Sequence, residues 1–246
     1  MSAVACTAPT PWHEPMTIGW FSSATRFAAR LFAALVAAME ASDPPAALAA
    51  TARAAGVLED RLLVERAAQG DRRAFDDLYR RWSDFVWHRL GRLLGPDPER
   101  EDLLQQVFLD TYRALPRFRG DAAFSTWLHR IVVNVAYDHL RRRKRRPTNP
   151  LELEEIAALA SPAMSPEATA RRREELLRIA SYLDRLKPKK RIAFVLRVVD
   201  ELALEEIGGL VGASAATVGQ RVYHAERELA AMAARDELAQ SRRARA

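Results

Sequence analysis

The sequence predicts an all-α fold: two small helical domains joined by a flexible linker, the C-terminal one a helix-turn-helix. Three observations carry this. Apolar residues recur at helical spacing through several long stretches, notably 75–93, 104–115 and 127–135. Charge falls in blocks. Residues 62–147 hold 18 cations against 12 anions, a net of +6; residues 148–169 hold four Glu and neither Lys nor Arg; residues 170–234 hold 12 cations against 9 anions, a net of +3. Lastly, Gly212-Ala213-Ser214 joins two apolar-periodic segments as a short glycine-containing turn joins a helix pair. The expected organisation is an N-terminal extension (1–61), a helical domain (62–147), an acidic Pro-containing linker (148–169), a helix-turn-helix domain (170–234) and a disordered basic tail (235–246).

A net charge of +6 over 246 residues implies an acidic partner, and on charge alone nucleic acid and an anionic membrane fit equally well. Cys6 is the single cysteine, which excludes an internal disulfide or a paired-cysteine metal cage and suits a reducing cytoplasm. No run of eighteen apolar residues calls for a membrane span. The chain lacks a GxxxxGKS phosphate loop, HExxH and GxSxG. His13, His88, His129, His139 and His224 are scattered and read as packing or surface residues. The expectation is a non-enzyme with no cofactor, metal or small-molecule substrate.

Residues 1–16 are rich in Pro and small residues and read as disordered. Residues 26–41 favour a helix, ended by Pro44-Pro45. Arg26 and Arg30 ahead of an apolar run faintly resemble a signal peptide; a packing helix, a membrane-touching helix or a true start at Met39 are the other readings. No function is assigned to residues 1–60. Asp71 can cap the next helix, whose Phe75, Leu78, Tyr79, Trp82, Phe85, Val86, Leu90 and Leu93 form a core stripe up to the break at Gly95-Pro96-Asp97-Pro98.

Residues 99–115 open with acidic residues, as the helix dipole favours. Leu104, Val107, Phe108, Thr111 and Leu115 face inward. Asp102, Gln105, Gln106, Leu109, Asp110 and Arg113 face outward, and the residues alone favour a solvated face. Gly120-Asp121 then marks a loop, and Ser125 is the expected N-cap of a helix whose buried stripe is Trp127, Leu128, Ile131, Val132 and Val135. Arg130, Asn134, Tyr137 and Arg141 form a second stripe on a different face. Cations hold phosphates, an amide reads a base edge and a ring stacks on a base, so this row suits a nucleic acid. A solvated surface helix explains the row equally well. The six consecutive cations Arg141 to Arg146 tip the balance toward a polyanion.

In the last third, Pro188 suits a helix start. Helices are expected over 191–199, 204–211 and 215–229, with Ser214 capping the last. There Val218, Val222, Ala225 and Leu229 face inward, leaving Thr217, Gln220, Arg221 and His224 outward for a major groove. Gly208, Gly209 and Gly219 each cost roughly 1 kcal/mol against Ala in a helix interior.

The segment FRGDAAFSTWLHRIVVNVAYDHLRRRKRR, thirty contiguous residues or nearly so, resembles the promoter-melting segment of bacterial RNA polymerase sigma factors, above all the extracytoplasmic-function (ECF) group of the sigma-70 family. The resemblance implies that Phe118, Arg119, Gly120, Asp121 and Ala122, with Asn134, capture a flipped base of the minus-ten strand. Arg130, Tyr137, Arg141, Arg142 and Arg143 complete that DNA site. DLLQQVFLDTYRAL is similar to the sigma helix that docks on the polymerase clamp, which implies a core-polymerase contact through Asp102, Gln105, Gln106 and Leu109. ELALEEIGGLVGASAATVGQRVYHAERELA resembles the domain that reads the minus-thirty-five element, implying Ser214, Thr217, Gln220, Arg221 and His224 as its DNA contacts. Family members usually carry a cation where Gly219 stands here, and often others at His224 and Glu226, which implies weaker or unusual minus-thirty-five binding. The implied partners are core RNA polymerase, promoter DNA and an anti-sigma factor. The acidic linker is either a solvated tether or a strand threading a basic channel. Two other functional readings remain: a stand-alone helix-turn-helix regulator, which leaves the melting-like segment without a role, and a membrane-surface protein, for which residues 20–41 offer a poor polybasic face.

Overall fold

The computed structural model describes residues 59–95, 97–145, 178–243 and 245. The expectations for residues 1–58 and for the linker lie outside them. The described residues form eight α-helices and no strand. In chain order these are α1 (59–68), α2 (Arg72–Leu94), α3 (Arg100–Ala114), α4 (Phe124–Arg143), α5 (178–185), α6 (Pro188–Val198), α7 (Leu204–Val211) and α8 (Ala215–Arg243). A 3₁₀ turn, Leu115–Arg117, follows α3.

Local chemistry sets these boundaries. The Asp71 carboxylate accepts from the backbone N–H groups of Arg73 (3.0 Å) and Ala74 (3.2 Å), satisfying two orphan donors at the start of α2. Gly95 ends that helix at φ +69, where a side chain would be strained. Pro188 occupies the first turn of α6. The Ser214 hydroxyl accepts from the Thr217 N–H at 3.2 Å, as expected of a cap. Ser125 is not a cap: α4 begins at Phe124, with Ala123 as N-cap and no side-chain bond. The wedge of Phe124 among Phe118, Trp82 and Trp127 fixes that entry instead.

Helices α2, α3 and α4 pack on one another, and α6, α7 and α8 do likewise. The first core holds Leu78, Val86, Leu90, Leu104, Val107, Phe108, Leu128, Val132 and Val133; the second holds Ile192, Val195, Leu196, Ile207, Val218, Val222, Ala225 and Leu229. Tyr79, assigned to the core stripe by spacing, instead lies at its edge, 38% exposed with its ring against Phe108. The two halves also meet. Helix α6 packs on α2 and α4, and α7 packs on α4. The expected disordered tail is likewise corrected, since α8 runs on to Arg243. Ala233 is buried and the Tyr182 hydroxyl donates to Asp236 at 2.5 Å, anchoring this Ala-rich extension. Among the described residues no helix is long and apolar enough to cross a membrane.

Candidate nucleic-acid interface

The loop between α3 and α4 and the first turn of α4 form one wall of a groove, and α1 forms the other. Phe118 to Ser125 line the loop side; Asp60, Val64, Ala68 and Gln69 line the helix side. The cavity is about 610 Å³ and open to solvent, roomy enough for an unstacked nucleotide. Arg119, Gly120, Asp121 and Ala122 are exposed at its rim, and Gly120 adopts φ +75 in the turn. Phe118 is half-buried, its ring 4.9 Å from that of Trp127, a contact that ties the loop to the helix. Trp127 itself packs against the core and is not part of the groove lining.

Along α4, Arg130, Asn134 and Arg141 are exposed and Tyr137 is half-buried, on one face. Arg142 is exposed as well. Arg141 pairs only loosely with Asp138, at 3.7 Å between two half-exposed side chains, leaving its charge available. Arg143 is differently placed. It pairs with Asp97 at 2.7 Å and with Asp184 of the C-terminal half, so of the three expected phosphate contacts it is the one turned inward. Burial alone would raise the Asp97 carboxyl; the hydrogen bond and charge of His139 and the charge of Arg143 outweigh that and hold it below the usual range. The Lys189 ammonium lies 6.0 Å from the Tyr137 ring.

On α3, Asp102, Gln105 and Leu109 are exposed, Leu109 by 51%, and Gln106 donates to Asp110 at 2.8 Å. Opposite them Leu103, Leu104, Val107, Phe108 and Thr111 are buried. Leu109 is thus an exposed leucine among polar residues on a helix whose other face is core.

In the helix-turn-helix, Gly212 (φ +63) makes the turn between α7 and α8. Gly208 has a steric reason the propensity scale conceals: a Cβ there would lie 2.6 Å from the Ala213 carbonyl oxygen. Gly219 has no such need, since its Cβ would only touch Leu204 at 3.5 Å. On α8, Gln220 and His224 are exposed, whereas Thr217 and Arg221 are half-buried. The Ser214 hydroxyl is shared with that of Thr217 at 2.9 Å. Glu226 is half-buried and its carboxyl is pushed up by burial, so it lies at the margin of the outward face.

Two sets of groove residues escaped the sequence. Asp60 and Val64 come from α1 and Gln69 from the turn that follows it, and the tie of α1 to the site depends on tertiary packing: Trp82 Nε1 donates to Asp60 at 3.3 Å and Arg81 pairs with Glu59 at 2.7 Å. Tyr223 (53% exposed) and Arg227 stand on the outward face of α8, the guanidinium 5.6 Å from the ring centre. Their spacing with Ala216 and Gln220, at steps of four, three and four, was readable as one helical stripe. Among the described residues no cluster of His, Cys, Asp or Glu is arranged to hold a metal ion.

Residues 78–146 match the Sigma-70 region 2 family and residues 176–229 match Sigma-70, region 4. The chain is 34% identical over 173 residues to the RNA polymerase sigma-H factor of Pseudomonas aeruginosa, covering 68% of this chain and 90% of that protein. It is also 34% identical over 174 residues to the ECF RNA polymerase sigma-E factor of Escherichia coli K12, covering 68% of this chain and 91% of that one. Among solved structures it is similar to CnrH in complex with the cytosolic domain of CnrY, at 26% identity and a TM-score of 0.49, covering 72% of this chain and 99% of that one.

Proposed function

This chain belongs to the ECF group of the sigma-70 family of RNA polymerase sigma factors, and we propose how its surface divides the work of directing promoter-specific transcription initiation. Residues 62–147 bind core RNA polymerase and hold the melted minus-ten strand; residues 170–234 read the minus-thirty-five element. The exposed face of α3, with Asp102, Gln105, Gln106 and Leu109, docks on the polymerase. The groove between α1 and the 118–125 loop receives one base turned out of the duplex. Asn134 reads its edge, Arg130, Arg141 and Arg142 hold the neighbouring phosphates, and Tyr137 supports the strand. Filling the groove offsets part of the unpairing cost, a few kcal/mol for a flipped base. Ser214, Thr217, Gln220, Arg221 and His224, with Tyr223 and Arg227, face the major groove upstream. The protein performs no covalent chemistry, acts in the cytoplasm beside the polymerase, and is restrained by an anti-sigma factor.

One observation carries this reading: an open groove at the start of α4 and, further along the same helix, an exposed row of cation, amide and cation opposite the core face. A stand-alone repressor needs neither the groove nor the α3 face. The test is binding of the polymerase–protein complex to a forked promoter whose minus-ten strand is unpaired, against the same sequence fully paired. The reading expects tighter binding to the fork, with the preference lost on changing the flipped base. Equal affinity for fork and duplex would overturn it.

A further inference from the structure

The outward face of α8 carries little positive charge where bases would be read. Val218, Val222, Ala225 and Leu229 bury the inner face. At about 100° per residue, Gln220 stands directly opposite them, at the centre of the outward face, and it is exposed. Ala216 and Tyr223 flank it on one side and Thr217 and His224 on the other. From Ser214 to Glu226 no exposed residue is a Lys or Arg. Arg221 is half-buried and lies roughly 100° round the helix from Gln220. The next cation, Arg227, is two turns further on, its guanidinium 5.6 Å from the centre of the Tyr223 ring.

Side-chain chemistry sorts base edges. Arg or Lys takes the two acceptors of guanine, O6 and N7. The amide of Gln matches the donor and acceptor of adenine, N6 and N7, and apolar groups pack on the thymine methyl. In a helix-turn-helix the N-terminal turns of the second helix hold the base-reading residues. There this chain presents an amide, with a methyl and an aromatic ring beside it. Gly219 sharpens that arrangement. Side chains on a helix lean toward its N-terminus, so Tyr223 covers the turn that contains Gly219. A Cβ at Gly219 would meet only Leu204, at 3.5 Å, so packing within the chain does not demand a glycine there. Its absence leaves the N-terminal side of the Tyr223 ring open, and Tyr223 is 53% exposed.

We infer that α8 selects A·T pairs: Gln220 takes the N6 and N7 edge of one adenine, Ala216 and Tyr223 pack thymine methyls beside it, and the centre of the upstream element carries no guanine requirement. This rests on the assignment of residues 170–234 to the minus-thirty-five element and names what that surface discriminates. Phosphate contact falls to Arg221 and Arg227, at the margins of the face.

The test binds the full-length protein and core polymerase to a promoter library whose minus-ten strand is fixed and unpaired while the upstream base pairs are randomised, and sequences the bound templates. The parent is expected to enrich adenine over guanine at one central position by about tenfold, within the worth of a single amide–base pair. Gln220→Arg moves that one position to guanine and leaves the others as they were. Gln220→Ala flattens it, and Tyr223→Ala flattens a thymine preference at a neighbouring position. An added cation tightens binding to every sequence, so the readout is the base ratio and not the affinity. Both residues are exposed, and Gln220→Ala carries the same test should circular dichroism show Gln220→Arg unfolded. A parent that enriches G·C pairs across the centre, or a base ratio that neither Gln220 variant moves, would overturn this inference alone. A library in which no upstream position is selected would overturn the assignment of residues 170–234, and this inference with it.

Discussion

Asn134 and His129 sit on opposite faces of α4, and their substitutions report on different things. Asn134 is exposed on α4, further along the helix than the groove. Replacing it by Ala removes an amide but no packing, so core-polymerase affinity should stay unchanged. Promoter opening, followed by permanganate reactivity of unpaired thymines, should fall by about 1–3 kcal/mol, the usual worth of an amide–base contact. Equal loss of both would count against the base-edge role. His129 is buried next to Arg89, with one ring nitrogen lacking a partner. Burial, then the Arg89 charge, hold its pKa down to about 4, with Asp200 pulling weakly the other way. Between pH 6.5 and 4 the unfolded chain therefore binds the proton and the fold does not. The stability this contributes is present above pH 6.5 and is lost as pH falls toward 4, on the order of 3 kcal/mol at 1.36 kcal/mol per unit. Chemical denaturation of His129→Leu across that range should show a shallower acid decline than the parent; parallel curves would refute the assignment.

Among the elements, α4 read most directly from the sequence, because two stripes at helical spacing separate core from surface without knowledge of any neighbour. Its cationic end read less well. Six cations in a row look equivalent, yet Arg143 is committed to Asp97 and Asp184, residues 46 and 41 positions away. Replacing Arg141 and Arg142 by Ala should reduce the slope of log affinity against log salt for promoter binding by up to about 1.8, at 0.9 per phosphate lost. An unchanged slope means these two hold no phosphate. The helix-turn-helix glycines divide for a reason that propensity misses. Gly208→Ala forces a Cβ toward the Ala213 carbonyl and should destabilise by about 1–3 kcal/mol. Gly219→Ala should be neutral or stabilising by up to about 1 kcal/mol, since its site is open. Thermal unfolding of the two variants distinguishes them, and a like response would show that the close approach is not felt. The end of α8 was misjudged because its anchor, Asp236 on Tyr182, spans 54 residues.

At the scale of the whole molecule, two helical halves and an acidic interval were legible from charge blocks and periodicity. The seam between them was not, because Arg191 and Asp200 look like ordinary helix-end charges until α2 is laid against them. Nor was the contribution of α1 to the groove, which rests on packing across Trp82. The proposed docking role of the α3 face belongs to this scale too. Asp102→Lys with Gln106→Ala should weaken core-polymerase binding at least tenfold in a competition assay while leaving the melting temperature within a degree or two, and unchanged affinity would exclude that face. The most direct measurement is run-off transcription with purified core polymerase on a library of promoter templates. The account expects discrete start sites, each preceded by a shared pair of sequence elements and each lost when the protein is omitted. Transcripts no more selective than those of core polymerase alone, on every template, would contradict it.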